Sequence, residues 1–136
     1  MAHQFDHEKL DVYQASIQFV SWADELLEQL PKSLAVTNQL DRASTSIPLN
    51  LAEGNGKFTD KDRCRFFDIA RGSALECAAC LDVLVAKNRI SNTDEAEEGK
   101  AQLVRIVSML VGLIRRTSPD RVYEAQGEYG EGPAKD

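Results

Sequence analysis

The stretch SLAVTNQLDRASTSIPLNLAEGNG, residues 33–56, decides the fold, because it marks a helix and the point where that helix stops. It predicts a helix from Ser33 to Glu53. The triplet Gly54-Asn55-Gly56 follows, and a glycine just past the last helical residue can take the left-handed conformation without steric cost. The helix is therefore expected to end there.

Pro48 lies inside this predicted helix. Proline has no N–H for the carbonyl four residues earlier, that of Ser44, and its ring crowds the same carbonyl. It also disfavours helical geometry at the preceding residue, Ile47. We therefore expect a kink in the second helix, and we interpret it as architectural.

Three further helical segments flank this stretch. Pro31, the glycine triplet and a polar loop divide the chain into helices over about Asp6–Leu30, Ser33–Glu53, Thr59–Lys87 and Thr93–Arg116, with the loop at Asn88–Asn92. Residues 118–136 are rich in Gly and Glu and have almost nothing to bury, which predicts a disordered acidic tail. The expected fold is an all-α, antiparallel up-down four-helix bundle over residues 1–117, with a proline-kinked second helix.

The first helix has two apolar stripes, each with spacings of three and four. The expected core stripe is Leu10, Tyr13, Ile17, Val20, Ala23, Leu27 and Leu30. The second stripe includes Val12, Phe19, Trp22 and Leu26. Together the stripes cover roughly 240° of the helix circumference, more than one bundle can bury. Since large exposed apolar patches usually mark interfaces, the second stripe favours a homo-oligomer over a monomer with an apolar surface.

Composition excludes several classes of protein. The 136 residues suit one domain, and the net charge of −6 argues against a protein that coats DNA through overall positive charge. The sequence has no run that could span a membrane, and its first ten residues do not resemble a signal peptide. Three cysteines, an odd number, do not form a disulfide framework. We expect a reduced, cytoplasmic protein.

No residue pattern predicts catalysis, a cofactor or a metal site. Cys77 and Cys80 have the spacing of a redox or zinc half-site, but they fall in the middle of a helix and are expected to pack as small apolar residues. His3 and His7 lack further ligands nearby. The sequence contains no recognisable nucleophile–base pair, so we do not expect an enzyme.

Basic residues cluster around the turn between the second and third helices. Over residues 57–71 the basic residues outnumber the acidic ones by two. A solvated surface and an RNA site both fit this pattern. The candidate nucleic-acid contacts are Arg42, Lys57, Lys61, Arg63, Arg65 and Arg71. We also predict an ion pair between Glu53 and Arg71.

Two blocks of this sequence closely resemble one family. Ser46-Ile-Pro-Leu-Asn-Leu-Ala-Glu-Gly54 and Ala70-Arg-Gly-Ser73 are similar to the bacterial four-helix bundle family encoded in intervening sequences of 23S rRNA genes, also called S23-type ribosomal proteins. The similarity extends from about residue 5 to residue 117. Besides Arg42, the positions that match the family's structural motif are Pro48, Asn50, Glu53, Gly54, Arg71 and Gly72.

The resemblance implies a ring-shaped homopentamer without catalytic activity. A related bundle is the accessory protein of diversity-generating retroelements, which binds a reverse transcriptase and nucleic acid. The expected function is therefore an oligomeric scaffold associated with RNA. The alternative is a protein–protein adaptor or accessory subunit, for example of a reverse transcriptase, that binds no nucleic acid itself.

Overall fold

Four long helices make up most of the part of the chain that the structure describes. The computed structural model describes residues 4–119. A short 3₁₀ turn, Asp6–Lys9, leads into the helices α1 (Asp11–Glu28), α2 (Ala35–Asn55), α3 (Asp60–Ala86) and α4 (Thr93–Thr117). No strand occurs within residues 4–119. The predicted acidic tail lies, from residue 120 onward, outside the described residues.

The helices form an antiparallel bundle. Each helix packs against the next in the chain, and α1 also packs against α4, which closes the bundle. Side-chain contacts show these directions, because residue numbers that increase along one helix pair with residue numbers that decrease along its neighbour. The pairs are Ser46 with Ser73, Asn55 with Arg63, Asp82 with Lys100, and Cys64 with the carbonyl of Ile114. The predicted all-α four-helix fold is confirmed.

One hydrophobic core runs through the centre of the bundle. All four helices contribute side chains that are completely buried, among them Phe19, Leu40, Phe67, Leu81 and Leu110. Burying side chains of this size stabilises the fold by about 1.5–3 kcal/mol each before entropy is counted. The core holds the helix ends at fixed positions, and these positions determine which charged residues lie close together.

Side-chain caps and one left-handed residue set the helix ends. The Thr59 hydroxyl accepts a hydrogen bond from the Asp62 amide, so α3 begins where the sequence predicts. At α4 the cap is Asn92, whose side chain accepts from the Asp94 amide, and not Thr93. Asn88 adopts a φ of 58° just beyond α3, which lets the following amide bond back to Leu84.

Helix α2 continues through Pro48, which is buried. The hydroxyls of Ser44 and Thr45 both donate to the carbonyl of Asp41, and the Asn50 side-chain amide donates to the carbonyl of Ser46. These bonds tie polar side chains to the helix backbone around the proline. The bend itself stays a prediction.

Gly54 is needed for a different reason from the one the sequence predicts. The helix runs past it to Asn55, and no glycine among the described residues has a positive φ. A Cβ at residue 54 would instead lie 2.8 Å from Cβ of Phe66 and 3.1 Å from the carbonyl oxygen of Arg63. Gly54 therefore lets the end of α2 approach the start of α3 closely.

Candidate nucleic-acid interface

The structure separates the six predicted nucleic-acid contacts into two groups. Lys57, Lys61, Arg63 and Arg65 lie in the α2–α3 turn and the first turns of α3. Arg71 lies further along α3. Arg42 is fifteen residues before Lys57, which places it roughly 22 Å away along the axis of α2. Arg42 is therefore remote from the turn.

Two of the turn cations lie over the same aromatic ring. The Lys57 Nζ is 5.0 Å from the centre of the Phe66 ring, and the Arg65 guanidinium carbon is 4.7 Å from it. Lys57 also contacts Glu53, with 3.7 Å between Nζ and Oε2. Cation–π contacts of this kind are worth about 0.5–1 kcal/mol at exposed sites. They hold both positive charges close to the surface of the turn.

Phe58 is the most exposed large apolar residue of the described chain. Its relative exposure is 101%, so its ring makes no use of the protein core. Its neighbours in the chain are Lys57 and Thr59, and Lys61 follows one helical turn later. The α2–α3 turn therefore combines an uncovered aromatic ring with several positive charges.

A hydrogen-bonded chain links the N-terminal 3₁₀ turn to the same region. The Asn55 side-chain amide donates to a carboxylate oxygen of Asp6 at 3.0 Å, and the Asn55 oxygen accepts from Nη2 of Arg63 at 3.4 Å. The Nε of Arg63 is buried and has no acceptor within residues 4–119. Arg63 is thus held at the turn by Asn55, while its Nε lies out of reach of solvent.

Charge is divided between the two ends of the bundle. We define the turn end as residues 4–17, 47–72 and 107–119, and the opposite end as residues 18–46 and 73–106. The turn end has eight basic and seven acidic residues, whereas the opposite end has six basic and ten acidic residues. The net charge of −6 therefore conceals a turn end that is slightly positive.

Sequence reasoning missed two basic residues of this end. Arg115 and Arg116 close α4, and the contact between Cys64 and Ile114 shows that α4 finishes beside the start of α3. Both arginines are exposed. In an antiparallel bundle α2 and α4 run in the same direction, so both end at the same end of the bundle. This rule alone would have placed the two arginines near the α2–α3 turn.

The predicted oligomer interface on the first helix is wrong. Val12, Phe19 and Leu26 are at most 4% exposed and lie in the core, so they are not available to a second subunit. Trp22 is partly buried and packs against Gly99 of α4. The outward residue is Ile17, which was expected in the core and is 45% exposed. Ala23, Leu27 and Leu30 of the expected core stripe are buried as well, so both stripes contribute to the core. Period alone does not show which of their residues face the other helices.

Exposed apolar residues lie instead on α3. Five apolar or glycine residues of α3 fall within roughly 120° of the helix circumference, an arc that also contains Asp68 and Glu76. We call these five the outer α3 face: Ile69, Gly72, Leu75, Ala79 and Val83. Gly72 is in the middle of the helix, and a Cβ there would meet nothing within 4 Å. The face continues into an apolar groove of about 320 Å³ between the start of α2 and the second half of α3. No contact among residues 4–119 therefore requires a glycine at position 72.

Two further positions of the family motif, Asn50 and Glu53, make contacts that support the fold. Asn50 donates to the Ser46 hydroxyl, which in turn shares a hydrogen bond of 2.8 Å with Ser73 across the α2–α3 contact. Glu53 pairs with Lys57, and the predicted ion pair between Glu53 and Arg71 is not formed. These contacts join α2 to α3 or stabilise the end of α2.

The cysteines are buried, as was expected for Cys77 and Cys80. Cys64, Cys77 and Cys80 are at most 5% exposed and none is in a disulfide. Burial raises the pKa of Cys77 to about 12, with further contributions from Cys80 and Glu76. Thiols with raised pKa values are poor nucleophiles at neutral pH. Among residues 4–119 no three His, Cys, Asp or Glu side chains converge as metal ligands, and none of the described helices is long and apolar enough to cross a membrane.

Comparison with known proteins gives a family and a fold. A family model described as 23S rRNA-intervening sequence protein matches residues 8–112. A solved structure of a protein of unknown function from the S23 ribosomal protein family of Bacteroides thetaiotaomicron has a TM-score of 0.72 and 23% sequence identity. The match covers 76% of this chain and 98% of that one, and it shows a shared fold. No curated protein matches the chain.

Proposed function

The chain belongs to the 23S rRNA-intervening sequence protein family, and from this we propose that it is a non-catalytic cytoplasmic scaffold that associates with RNA through the turn end of the bundle. One observation carries the proposal: the cations of the α2–α3 turn are gathered with an exposed aromatic ring at the less acidic end of an acidic protein. Phosphate binding depends on such local positive charge.

The set of contacts differs from the one predicted from the sequence. Lys57, Lys61, Arg63 and Arg65 remain, and Arg115 and Arg116 are added. Arg42 is removed because it lies at the acidic opposite end, and Arg71 is kept as a peripheral contact. Concentrating the cations at one end raises the local potential even when the whole chain is negative.

The first test is whether nucleic acid accompanies the protein. Size exclusion with light scattering, on full-length protein purified without nuclease, records the mass and the absorbance at 260 and 280 nm. Excess absorbance at 260 nm that disappears after ribonuclease treatment supports the proposal. Protein-like absorbance, together with no binding of added RNA at low salt, refutes it.

The second test is specific to the turn end. The double variant Lys61→Ala/Arg65→Ala should lose about tenfold in affinity for a labelled RNA strand, and its affinity should fall less steeply with salt. The matched control is Lys87→Ala/Arg105→Ala, which removes the same charge at the opposite end. Equal losses in both variants would mean that RNA responds only to total charge, and the assigned site would be wrong.

We also propose that copies of the chain associate through the outer α3 face. Leu75 and Val83 are 49% and 39% exposed, and Gly72 leaves room for a second backbone to approach. Exposed apolar side chains of this size commonly mark interfaces. The expected mass is near five times the 15.1 kDa of one chain.

Leu75→Glu should reduce that mass to one subunit. Leu49→Glu is the matched control, because Leu49 is 63% exposed but lies on α2. A wild-type monomer would refute self-association. If wild-type protein is an oligomer and Leu75→Glu leaves it intact, the outer α3 face is not the interface.

The second candidate function is an adaptor or accessory subunit, for example for a reverse transcriptase. The observation that favours it is the groove of about 320 Å³ beside the outer α3 face, which offers room for an apolar segment of a partner. An oligomer that binds no RNA would favour this function over the RNA scaffold.

A further inference from the structure

The ring of Phe58 has no structural role in the fold, and its whole surface is open to a ligand. Its relative exposure of 101% means that the fold gains no packing from it. The other aromatic ring of the turn, Phe66, is half-buried and covered by Lys57 and Arg65. Phe58 is thus the ring at the turn whose surface is free to meet another molecule.

The surroundings of Phe58 favour a ligand that is both flat and negatively charged. Its neighbours are polar or charged, with Lys57 and Thr59 beside it and Lys61 one turn later. An apolar protein partner is usually anchored by an aromatic ring within a larger apolar patch. A nucleotide instead needs one flat apolar surface for the base and cations for the phosphate.

Resting on the function proposed above, we propose that Phe58 is a base-stacking residue and that the turn end binds unpaired, single-stranded RNA. The ring of Phe58 stacks on an exposed base, and Lys57, Lys61 and Arg63 contact the neighbouring phosphates. The guanidinium of Arg63 is held at the turn by the hydrogen bond from its Nη2 to the Asn55 side-chain oxygen. In a duplex the bases stack on one another, so a ring at the apex of a turn finds no base surface to cover.

The test measures binding of full-length protein to two probes by fluorescence anisotropy. One is a labelled oligouridine of about 12 nucleotides, within the usual site size for single-strand binding. The other is an RNA duplex of the same length. We expect the single strand to bind at least about fivefold more tightly, because only the single strand offers an unstacked base to Phe58.

Variants of Phe58 separate stacking from simple apolar contact. Phe58→Ala should weaken binding of the single strand about tenfold, and Phe58→Leu should do the same, because leucine keeps apolar area but has no aromatic face. Phe58→Tyr should stay within about twofold of wild type, since tyrosine also stacks. Val104→Ala is the control, because Val104 is 67% exposed and lies on α4 at the opposite end.

A second readout follows the base itself. With 2-aminopurine at the centre of the strand, stacking on Phe58 should quench its fluorescence, and Phe58→Ala should restore it. Unfolding curves of all variants should coincide with that of wild type, because the ring makes no packing contact in the fold.

The outcomes distinguish this inference from the function on which it rests. If the single strand binds but Phe58→Ala is silent, or Phe58→Leu retains full affinity, stacking is refuted and the RNA scaffold stands. Equal affinity for strand and duplex also refutes it. If wild-type protein binds neither probe at low salt, both proposals fail together, and a protein partner becomes the better explanation of the exposed ring.

Discussion

The indole ring of Trp22 lies directly against Gly99, so α1 and α4 meet where α4 has no side chain. A Cβ at residue 99 would lie 2.6 Å from Cζ3 of the indole, closer than carbon atoms approach without a shift. The same indole stacks on Phe19, with 5.6 Å between ring centres. Gly99 therefore fixes the position of a ring that a sequence pattern assigns to the outer surface.

Gly99→Ala should destabilise the protein. Overpacking of this kind costs about 1–3 kcal/mol, whereas replacing glycine by alanine within a helix returns about 1 kcal/mol. The expected net loss is up to about 2 kcal/mol in the free energy of unfolding, measured by urea denaturation. Trp22 is the chain's only tryptophan, so its emission should also shift to longer wavelength as the ring is displaced.

Gly112→Ala is the control for Gly99→Ala. Gly112 is also within α4, but the nearest atom to its added Cβ is the flexible Arg116 side chain at 3.5 Å. It should be neutral or stabilising by up to about 1 kcal/mol. Equal stability changes in the two variants would contradict the assigned Trp22–Gly99 contact.

Gly54→Ala should separate the end of α2 from the start of α3. The added Cβ would meet Cβ of Phe66 and the backbone of Arg63, neither of which can rotate away. We expect a loss of about 2–3 kcal/mol in urea denaturation. Gly56→Ala serves as the comparison, because its Cβ would meet only ordinary contacts of 3.6 Å and 3.7 Å. A larger loss from Gly56→Ala than from Gly54→Ala would overturn this account of the turn.

The buried thiol of Cys77 should make the protein sensitive to alkaline pH. Its pKa in the folded state is about 12, chiefly because of burial, against 9.0 for an ordinary thiol. Above pH 9 the unfolded chain releases this proton while the folded chain retains it, so the free energy of unfolding falls as pH rises from 9 towards 12. Urea denaturation at several pH values in this range measures the slope.

Cys77→Ala should make that slope shallower, although the variant is expected to be less stable at neutral pH because it removes a buried side chain. The difference in slope isolates this thiol from the lysines and tyrosines that titrate in the same range. An unchanged slope would show that Cys77 ionises normally in the folded protein.

Neutralising the acids of residues 120–136 should strengthen RNA binding at low salt. This segment follows α4, which ends at the turn end, and contains five acidic and two basic residues. Replacing its five acids by Asn or Gln removes negative charge from an acidic protein, so affinity for the single strand should rise about threefold. The gain should vanish at high salt, since exposed charges are then screened. An effect that persists at high salt would have a cause other than charge.

Local features of the bundle could be predicted where they depend on neighbouring residues. The start of the third helix at Thr59 and the burial of Cys77 and Cys80 followed from such signals. The side of α1 that faces the core did not, because its two apolar stripes have the same period. Only packing against α4, with Gly99 receiving Trp22, decides between them.

The candidate site shows the same division. Lys57, Lys61, Arg63 and Arg65 are close in sequence, so their grouping at the turn was predictable. Arg42 had to be removed and Arg115 and Arg116 added, because their distances from the turn depend on how helices far apart in sequence run past one another.

The sequence by itself determined the number of helices, their approximate ends and the family, because helix stops, caps and motifs act over a few residues. The tertiary structure alone decided which residues of the two apolar stripes are buried, why Gly54 must lack a side chain, and which basic residues share one end of the bundle. Those properties arise from contacts between helices. The sequence of one helix does not show which of its sides faces a neighbour, whereas close packing against the other helices allows only one orientation.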